Sequence, residues 1–249
     1  MKKLLCLLGA TLLVLSSCSS DDDTTSAPTA TVLLKKSSYV STGESFTTDF
    51  TYSGNKLVSS VDSFGDKTTF TYTGELITKI VDTDNKGVVD QTTEFTYTNG
   101  KLTSEISLET GDDYKYKTKY VHNTDGTISF EDFRVAVATG KEEEYGYIGK
   151  YTFKNGNLVK KEKSYYGTNS SETYEYDAKN NPFKNVVGFN LLVNDEEGAY
   201  VNNIVKRTYS NSTDIYTNTY EYKYNAESFP TEQKGFYNGA SDGISTFTY

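Results

Sequence analysis

Phe95-Thr96-Tyr97-Thr98-Asn99-Gly100-Lys101-Leu102-Thr103-Ser104-Glu105-Ile106 is the stretch that decides the fold. It opens on an aromatic-x-aromatic triplet, turns through Asn-Gly, and leaves on an arm in which apolar and polar residues alternate. Asn-Gly supplies the positive φ values that a two-residue hairpin turn needs, so the stretch reads as two antiparallel strands. Alternation along the return arm is the period-two signature of a strand with one buried face. On that reading Leu102, Ser104, Ile106 and Leu108 share one face, and Thr103, Glu105, Ser107 and Glu109 the other.

The unit recurs along the chain. Phe50-Thr51-Tyr52 leads through Ser53-Gly54-Asn55 to Leu57, and Phe70-Thr71-Tyr72 through Thr73-Gly74 to Leu76-Ile77. Tyr151-Thr152-Phe153 leads through Asn155-Gly156 to Leu158. Tyr174-Glu175-Tyr176 to Phe183 and Tyr220-Glu221-Tyr222 to Phe229 have a longer turn; Tyr120-Val121-His122 with Asp125-Gly126 is a degenerate copy. The chain ends on Thr246-Phe247-Thr248-Tyr249, the opening of another unit. From Asn185 to Asp214 the pattern breaks, with Tyr209 where a clean motif is expected, so strand count and register are open there.

No segment beyond the first few tens of residues carries a sustained 3.6-residue apolar stripe, and no substantial helix is expected. Eight or nine hairpins imply roughly 14 to 18 strands. A flat open sheet of that size is unfavourable, because sheets twist and unpaired edges invite aggregation. The expectation is an all-β, antiparallel up-and-down meander of repeated β-hairpins, curled into a soluble barrel-like or half-barrel sheet. It would occupy residues 32–249 as a single domain.

Composition agrees. Twenty-two tyrosines and thirteen phenylalanines, set against three prolines and no tryptophan, suit strands with aromatic faces. The polar faces carry Thr, Ser, Lys and Glu, as in Lys160-Lys161-Glu162-Lys163. Such charges would each cost on the order of a few kcal/mol at the midplane of a lipid face, so an aqueous exterior and an aromatic interior are expected.

The first 31 residues are of a different kind. Lys2 and Lys3 precede the apolar run Leu4–Leu15, which is too short to span a bilayer, and Leu15-Ser16-Ser17-Cys18 follows. Then come Ser19-Ser20-Asp21-Asp22-Asp23 and a Ser/Thr/Ala/Pro stretch that cannot bury enough surface to fold. The layout resembles a lipoprotein signal peptide, and the serine and aspartate run resembles the surface-export signal of Bacteroidetes lipoproteins. The resemblance implies a signal peptide at residues 1–17, lipidation at Cys18, and an acidic tether over residues 18–31. Loss of the two cations Lys2 and Lys3 with the signal takes the formal charge from −9 to −11. That sign argues against nucleic acid as a partner. Of the two cysteines, Cys6 leaves with the signal and Cys18 is taken by lipid, so no disulfide is available.

Tyr174-Glu175-Tyr176-Asp177-Ala178-Lys179-Asn180-Asn181-Pro182 resembles the YD repeats of Rhs-type proteins. The wider pattern behind a lipobox is similar to a family of Bacteroidetes lipoproteins of unknown function with a porin-like fold. That likeness implies a barrel-like meander on the cell outer membrane, lipid-anchored and facing the cell surface. It transfers no catalytic residue.

Candidate chemistry is sparse. His122 is the only histidine and occupies the second aromatic slot of a unit, so it reads as a substitute for tyrosine; no zinc site or Ser-His-Asp triad can be assembled around it. Asp82-Thr83-Asp84-Asn85-Lys86-Gly87 resembles a calcium loop, but Lys86 stands where an oxygen ligand belongs and Thr93 where a glutamate does, so a hairpin turn is the better reading. Glu142-Glu143-Glu144 and Asp195-Glu196-Glu197 are adjacent acids read as solvated turn residues, with a glycosidase pair the distant alternative. No cofactor or metal is expected. Tyr174, Tyr176, Tyr220, Tyr222 and Tyr224 could stack on sugars, but rings that recur in every unit read first as core.

The leading expectation is a non-enzymatic binding or adhesion module, held to the membrane through Cys18, with a glycan or an envelope protein as partner. The alternatives are a structural accessory of an outer-membrane complex and, more distantly, a carbohydrate-active enzyme. A binder should expose an aromatic cluster on one side or at one mouth, and an accessory a broad apolar patch.

Overall fold

The turns form where Asn and Gly place them: Asn99 and Gly100 adopt φ of 51° and 74°, and Asn155 and Gly156 φ of 53° and 77°. A computed structural model describes residues 31–193 and 200–249. The signal peptide, Cys18, nearly all of the tether and the Asp195-Glu196-Glu197 run lie outside the described residues. Sixteen strands follow in order: β1 (Lys36–Ser41), β2 (Glu44–Ser53), β3 (Lys56–Asp62), β4 (Lys67–Thr73), β5 (Leu76–Thr83), β6 (Val89–Thr98), β7 (Lys101–Glu109) and β8 (Tyr114–His122). The second half is β9 (Ile128–Ala136), β10 (Glu142–Lys154), β11 (Asn157–Tyr165), β12 (Thr168–Tyr176), β13 (Ile204–Ser210), β14 (Ile215–Tyr224), β15 (Pro230–Tyr237) and β16 (Ala240–Thr248).

Each strand pairs antiparallel with its sequence neighbours, and β1 pairs with β16 from Lys36 opposite Thr248 to Val40 opposite Ile244. The sheet is therefore a closed barrel, and the half-barrel alternative is set aside. Closure removes both free edges, which is the physical gain over an open sheet. The only helical element among the described residues is a 3-10 turn, Phe189–Leu191.

A β-bulge sits at the second aromatic of five units, and in the Tyr220 unit two residues later, at Tyr224. Tyr52 pairs with Leu57 but Thr51 with Ser59; Tyr72 pairs with Ile77 but Thr71 with Lys79; Tyr97 pairs with Leu102 but Thr96 with Ser104. The same shift leaves Val159, Val205 and Thr231 as extra residues on β11, β13 and β15. One extra residue moves every later side chain to the opposite face. This corrects the simple alternation read from residues 102–109. Leu102 is buried in the lumen beside Tyr97, but past Thr103 it is Glu105, Ser107 and Glu109 that share the lumen face with Phe95, Thr93 and Gln91. Ile106 and Leu108 face outward, opposite Glu94 and Thr92.

The break in the repeat also has a physical meaning. The connection between β12 and β13 is a plug: Val186, Phe189, Leu192, Val193 and Tyr200 are buried against Leu57, Ile77, Leu102 and Leu158 of the wall. Phe183 stacks on Phe189 at 5.0 Å and meets the edge of Phe50 at 5.5 Å. At Gly188 φ is +79°, and a Cβ there would lie 2.7 Å from the Glu75 carbonyl oxygen, so only glycine lets the plug lie this close to the β4–β5 turn. The segment before β1 enters at the same end. Leu34 is buried, Asn185 Nδ2 donates to the Val32 carbonyl at 2.9 Å, and the Lys35 N–H donates to Thr248 at 2.7 Å.

Charged and hydroxyl side chains cover much of the outer wall, with Val40, Val121, Ile148 and Ile215 exposed among them. Cross-strand pairs run over it, including Lys36–Asp49, Lys79–Glu94, Lys150–Glu162, Lys206–Glu175 and Lys223–Glu232. Between them lie threonine rows such as Thr69, Thr71 and Thr73. Each exposed pair is worth at most about 1 kcal/mol. Their interest lies in position: they occupy the wall where a membrane barrel would carry an apolar band about 25 Å tall.

Candidate ligand site at the open mouth

Several of the motif tyrosines have a shared structural task, while the buried hydroxyls of Tyr52, Tyr72 and Tyr120 reach no partner with hydrogen-bond geometry among the described residues. A bulge takes a backbone group out of the ladder, and in five places the next unit supplies a partner for the carbonyl at the bulge or hairpin base. Tyr97 donates its hydroxyl to Ile77 at 2.8 Å, Tyr176 to Leu158 at 2.6 Å, Tyr222 to Ile204 at 2.8 Å and Tyr249 to Pro230 at 2.9 Å. His122 Nε2 lies 2.8 Å from the Leu102 carbonyl, so imidazole replaces phenol in the same clasp. Tyr174 donates to Glu172 Oε2 at 2.8 Å, and Tyr224 to Asp177 of the plug. Burial pushes the Tyr72 and Tyr97 phenols up to about 12, and raises Tyr151, Tyr174, Tyr176 and Tyr222 further. Among the five tyrosines singled out from sequence, Tyr220 alone stands away from the turn, in the lumen opposite Gly235.

A second set of rings, outside the motif, lines the other end. Phe46, Tyr116, Tyr165, Tyr216 and Tyr237 sit toward the mouth-side ends of their strands and face the lumen, yet remain 37–44 % exposed, because this end of the barrel is open. They form contiguous runs. Tyr116, Tyr145, Tyr147, Tyr165 and Tyr166 follow one another at centroid distances of 5.3, 5.7, 4.2 and 4.7 Å. Tyr209, Tyr216 and Tyr237 form a second run, each pair stacked at 6.0 Å.

Between the two runs lies a chamber of about 440 Å³, lined by Tyr147, Tyr165, Tyr209, Lys161, Lys163 and Glu172, with Ser170 and Asn211. The β11 bulge brings Lys161 and Lys163 inward, opposite Tyr151 and Gly149. Lys163 Nζ sits 3.9 Å above the Tyr147 ring, and burial lowers its pKa. Glu172 is held by Arg207, whose Nε lies 2.6 Å from Oε2. Asp132 accepts the Thr118 hydroxyl at 2.8 Å, and burial raises its pKa. A further space of about 500 Å³ continues between plug and wall, past Tyr39, Tyr220 and Tyr222.

The other sequence candidates resolve into structure. Asp84 Oδ1 accepts the N–H groups of Lys86 and Val88, and Gly87 has φ +81°, so residues 82–87 form a hairpin turn; Asp82 bonds Thr68. Glu142–Glu144 open β10 rather than forming a turn. Glu142 pairs with Lys117 and Lys119, and Glu143 with Arg134 and Lys141. No cluster of metal-ligating side chains occurs among the described residues. Sequence reasoning missed the mouth tyrosines and the inward lysines. Tyr145-x-Tyr147 and Tyr165-Tyr166, placed at the strand ends opposite the motif turns, were the available signal.

No protein-family model matches the chain, and no curated protein matches it. Solved structures do. A porin-like protein from Bacteroides vulgatus ATCC 8482 aligns with a TM-score of 0.56 and 17 % identity over 87 % of this chain and 98 % of its own. A second, from Bacteroides uniformis ATCC 8492, aligns with a TM-score of 0.53 and 15 % identity over 86 % and 97 %. The likeness defines the architecture: a porin-like, sixteen-stranded β-barrel.

Proposed function

We propose that this chain is a lipid-anchored protein of the outer membrane, facing the cell surface, that captures a ligand in the open mouth of its barrel and does no chemistry on it. The observation that carries the reading is the second set of rings. Tyrosines spared from the repeat's clasping task converge, partly exposed, on one mouth, as a binder requires and a featureless scaffold does not. The plug obstructs the lumen, so the barrel works as a cup rather than a conduit. The largely polar outer wall favours an aqueous barrel tethered at Cys18 over one embedded in lipid.

Two measurements test the reading. Cys18→Ser should abolish palmitate labelling and release the protein from membranes; sedimentation with membranes after a high-salt wash would refute the anchor. A glycan array probed with residues 31–249 and with Tyr165→Ala should show binding that the variant loses without a change in melting temperature. Binding indifferent to Tyr165 would remove the mouth from the reading.

A further inference from the structure

The chamber beneath the mouth has a charge that its ring lining does not require. Of the three charged side chains on it, Glu172 is already neutralised by Arg207 and further hydrogen-bonded by Tyr174. Lys161 and Lys163 lie side by side on the lumen face of β11, their ammonium nitrogens over the Tyr151 and Tyr147 rings at 5.8 and 3.9 Å. Glu172 stands directly opposite Lys161, and Asp132, on the lumen face two strands away, is bonded to Thr118 and close enough for its charge to couple to both lysines. With Glu172 offset by Arg207 and one lysine by Asp132, the two ammonium groups leave a net positive charge in a half-buried, ring-walled chamber within a chain of formal charge −9.

Resting on the mouth as a binding site, we propose that this chamber receives the carboxylate-bearing sugar of a short oligosaccharide. Lys163 and Lys161 bind the carboxylate, Tyr165 and Tyr209 stack on the pyranose faces, and Ser170 and Asn211 serve the ring hydroxyls. The volume of about 440 Å³ suits a few sugar rings, within the roughly 300–1,000 Å³ range of small-ligand sites. A long polyanion fits less well, because the acidic remainder of the protein would repel each further charge. An anion beside Lys163 also returns to it the solvation that burial removes, and a charge-assisted bond in such a place is stronger than at an exposed lysine.

The test uses residues 31–249 and isothermal titration with three probes: a uronate-terminated tetrasaccharide, the same sugar with its carboxyl group reduced to the alcohol, and oligothymidylate. The expected result is binding of the acidic sugar, weakened about tenfold or more by carboxyl reduction, and likewise by Lys163→Gln. In Lys163→Gln the acidic and reduced sugars should bind alike, with the melting temperature unchanged. Equal affinity of the parent protein for both sugars would overturn the acidic preference and leave the mouth as a neutral-glycan site. Loss of both sugars in Tyr165→Ala but not in Lys163→Gln would assign binding to stacking alone. Binding of oligothymidylate in place of either sugar, or of no probe at all, would overturn the proposal.

Discussion

The tyrosine clasp can be measured directly. Tyr97→Phe, Tyr176→Phe and Tyr222→Phe each delete one hydroxyl and keep the ring, so packing changes little while the carbonyls of Ile77, Leu158 and Ile204 lose their donors. A neutral hydrogen bond contributes about 1 kcal/mol net, and stranding a buried acceptor raises the loss toward about 2 kcal/mol. Tyr222→Phe should be the largest of the three, because its hydroxyl also accepts from Gln233 Nε2 at 2.8 Å. The three sites use different strands and different acceptors, so their effects should add. The triple variant is then expected to lose about 3 to 5 kcal/mol, which for a domain of this size lowers the melting temperature by roughly 6 to 20 °C. Tyr166→Phe, at a ring 76 % exposed, is the control and should stay within about 0.5 kcal/mol of the parent. Thermal melts followed by circular dichroism read the five variants beside the parent. A triple variant that melts with the parent, or no lower than Tyr166→Phe, would refute the claim that these hydroxyls hold adjacent hairpins together.

Other outcomes follow from the same contacts. Raised phenol pKa values mean that the fold favours the neutral form, so stability is full below about pH 10 and falls as pH climbs toward about 12 for Tyr72 and Tyr97, each contributing up to about 1.4 kcal/mol per pH unit. The part of the phenolate absorbance that belongs to the buried rings should then rise only together with loss of the β signal; ionisation of the full tyrosine complement with the barrel intact would contradict the burial. Phe189→Ala, at the centre of the plug, should cost about 3 to 5 kcal/mol, and an unchanged denaturant midpoint would mean the plug is loosely held. Gly149→Ala should destabilise toward the upper end of overpacking, about 3 kcal/mol, since a Cβ there would sit 2.2 Å from the Glu162 carbonyl oxygen and 2.4 Å from the Phe130 ring. A neutral Gly149→Ala in urea unfolding would show that β10 and β11 are free to move apart.

Strand pairing was legible because Asn-Gly turns and aromatic triplets act locally. Closure was only half legible: the meander is written along the chain, but the seam between β1 and β16 depends on how curvature accumulates over sixteen strands. The bulges were illegible for a sharper reason. Thr103, Thr78 and Val58 are ordinary strand residues, and nothing in their chemistry announces that two of them oppose one partner. That single extra residue inverted the reading of Glu105 and Ile106, and it also hid Lys161 and Lys163, which sit in a run that looks uniformly solvated. The mouth tyrosines were hidden differently. They are chemically identical to the clasping tyrosines, and only position along the strand, toward or away from the Asn-Gly turn, separates the two populations.

The seam carries a kinetic consequence. Fifteen of the sixteen strand pairings join sequence neighbours and can form early, whereas the last joins segments such as Ser38 and Thr246, 208 residues apart. Closing so long a loop adds little to the equilibrium cost, which grows only with the logarithm of length, but it delays the contact until the rest of the sheet has curled. Until then β1 and β16 are bare edges able to pair with another copy. The seam is thus the place where the barrel is completed last, opens first, and meets its main hazard of intermolecular pairing.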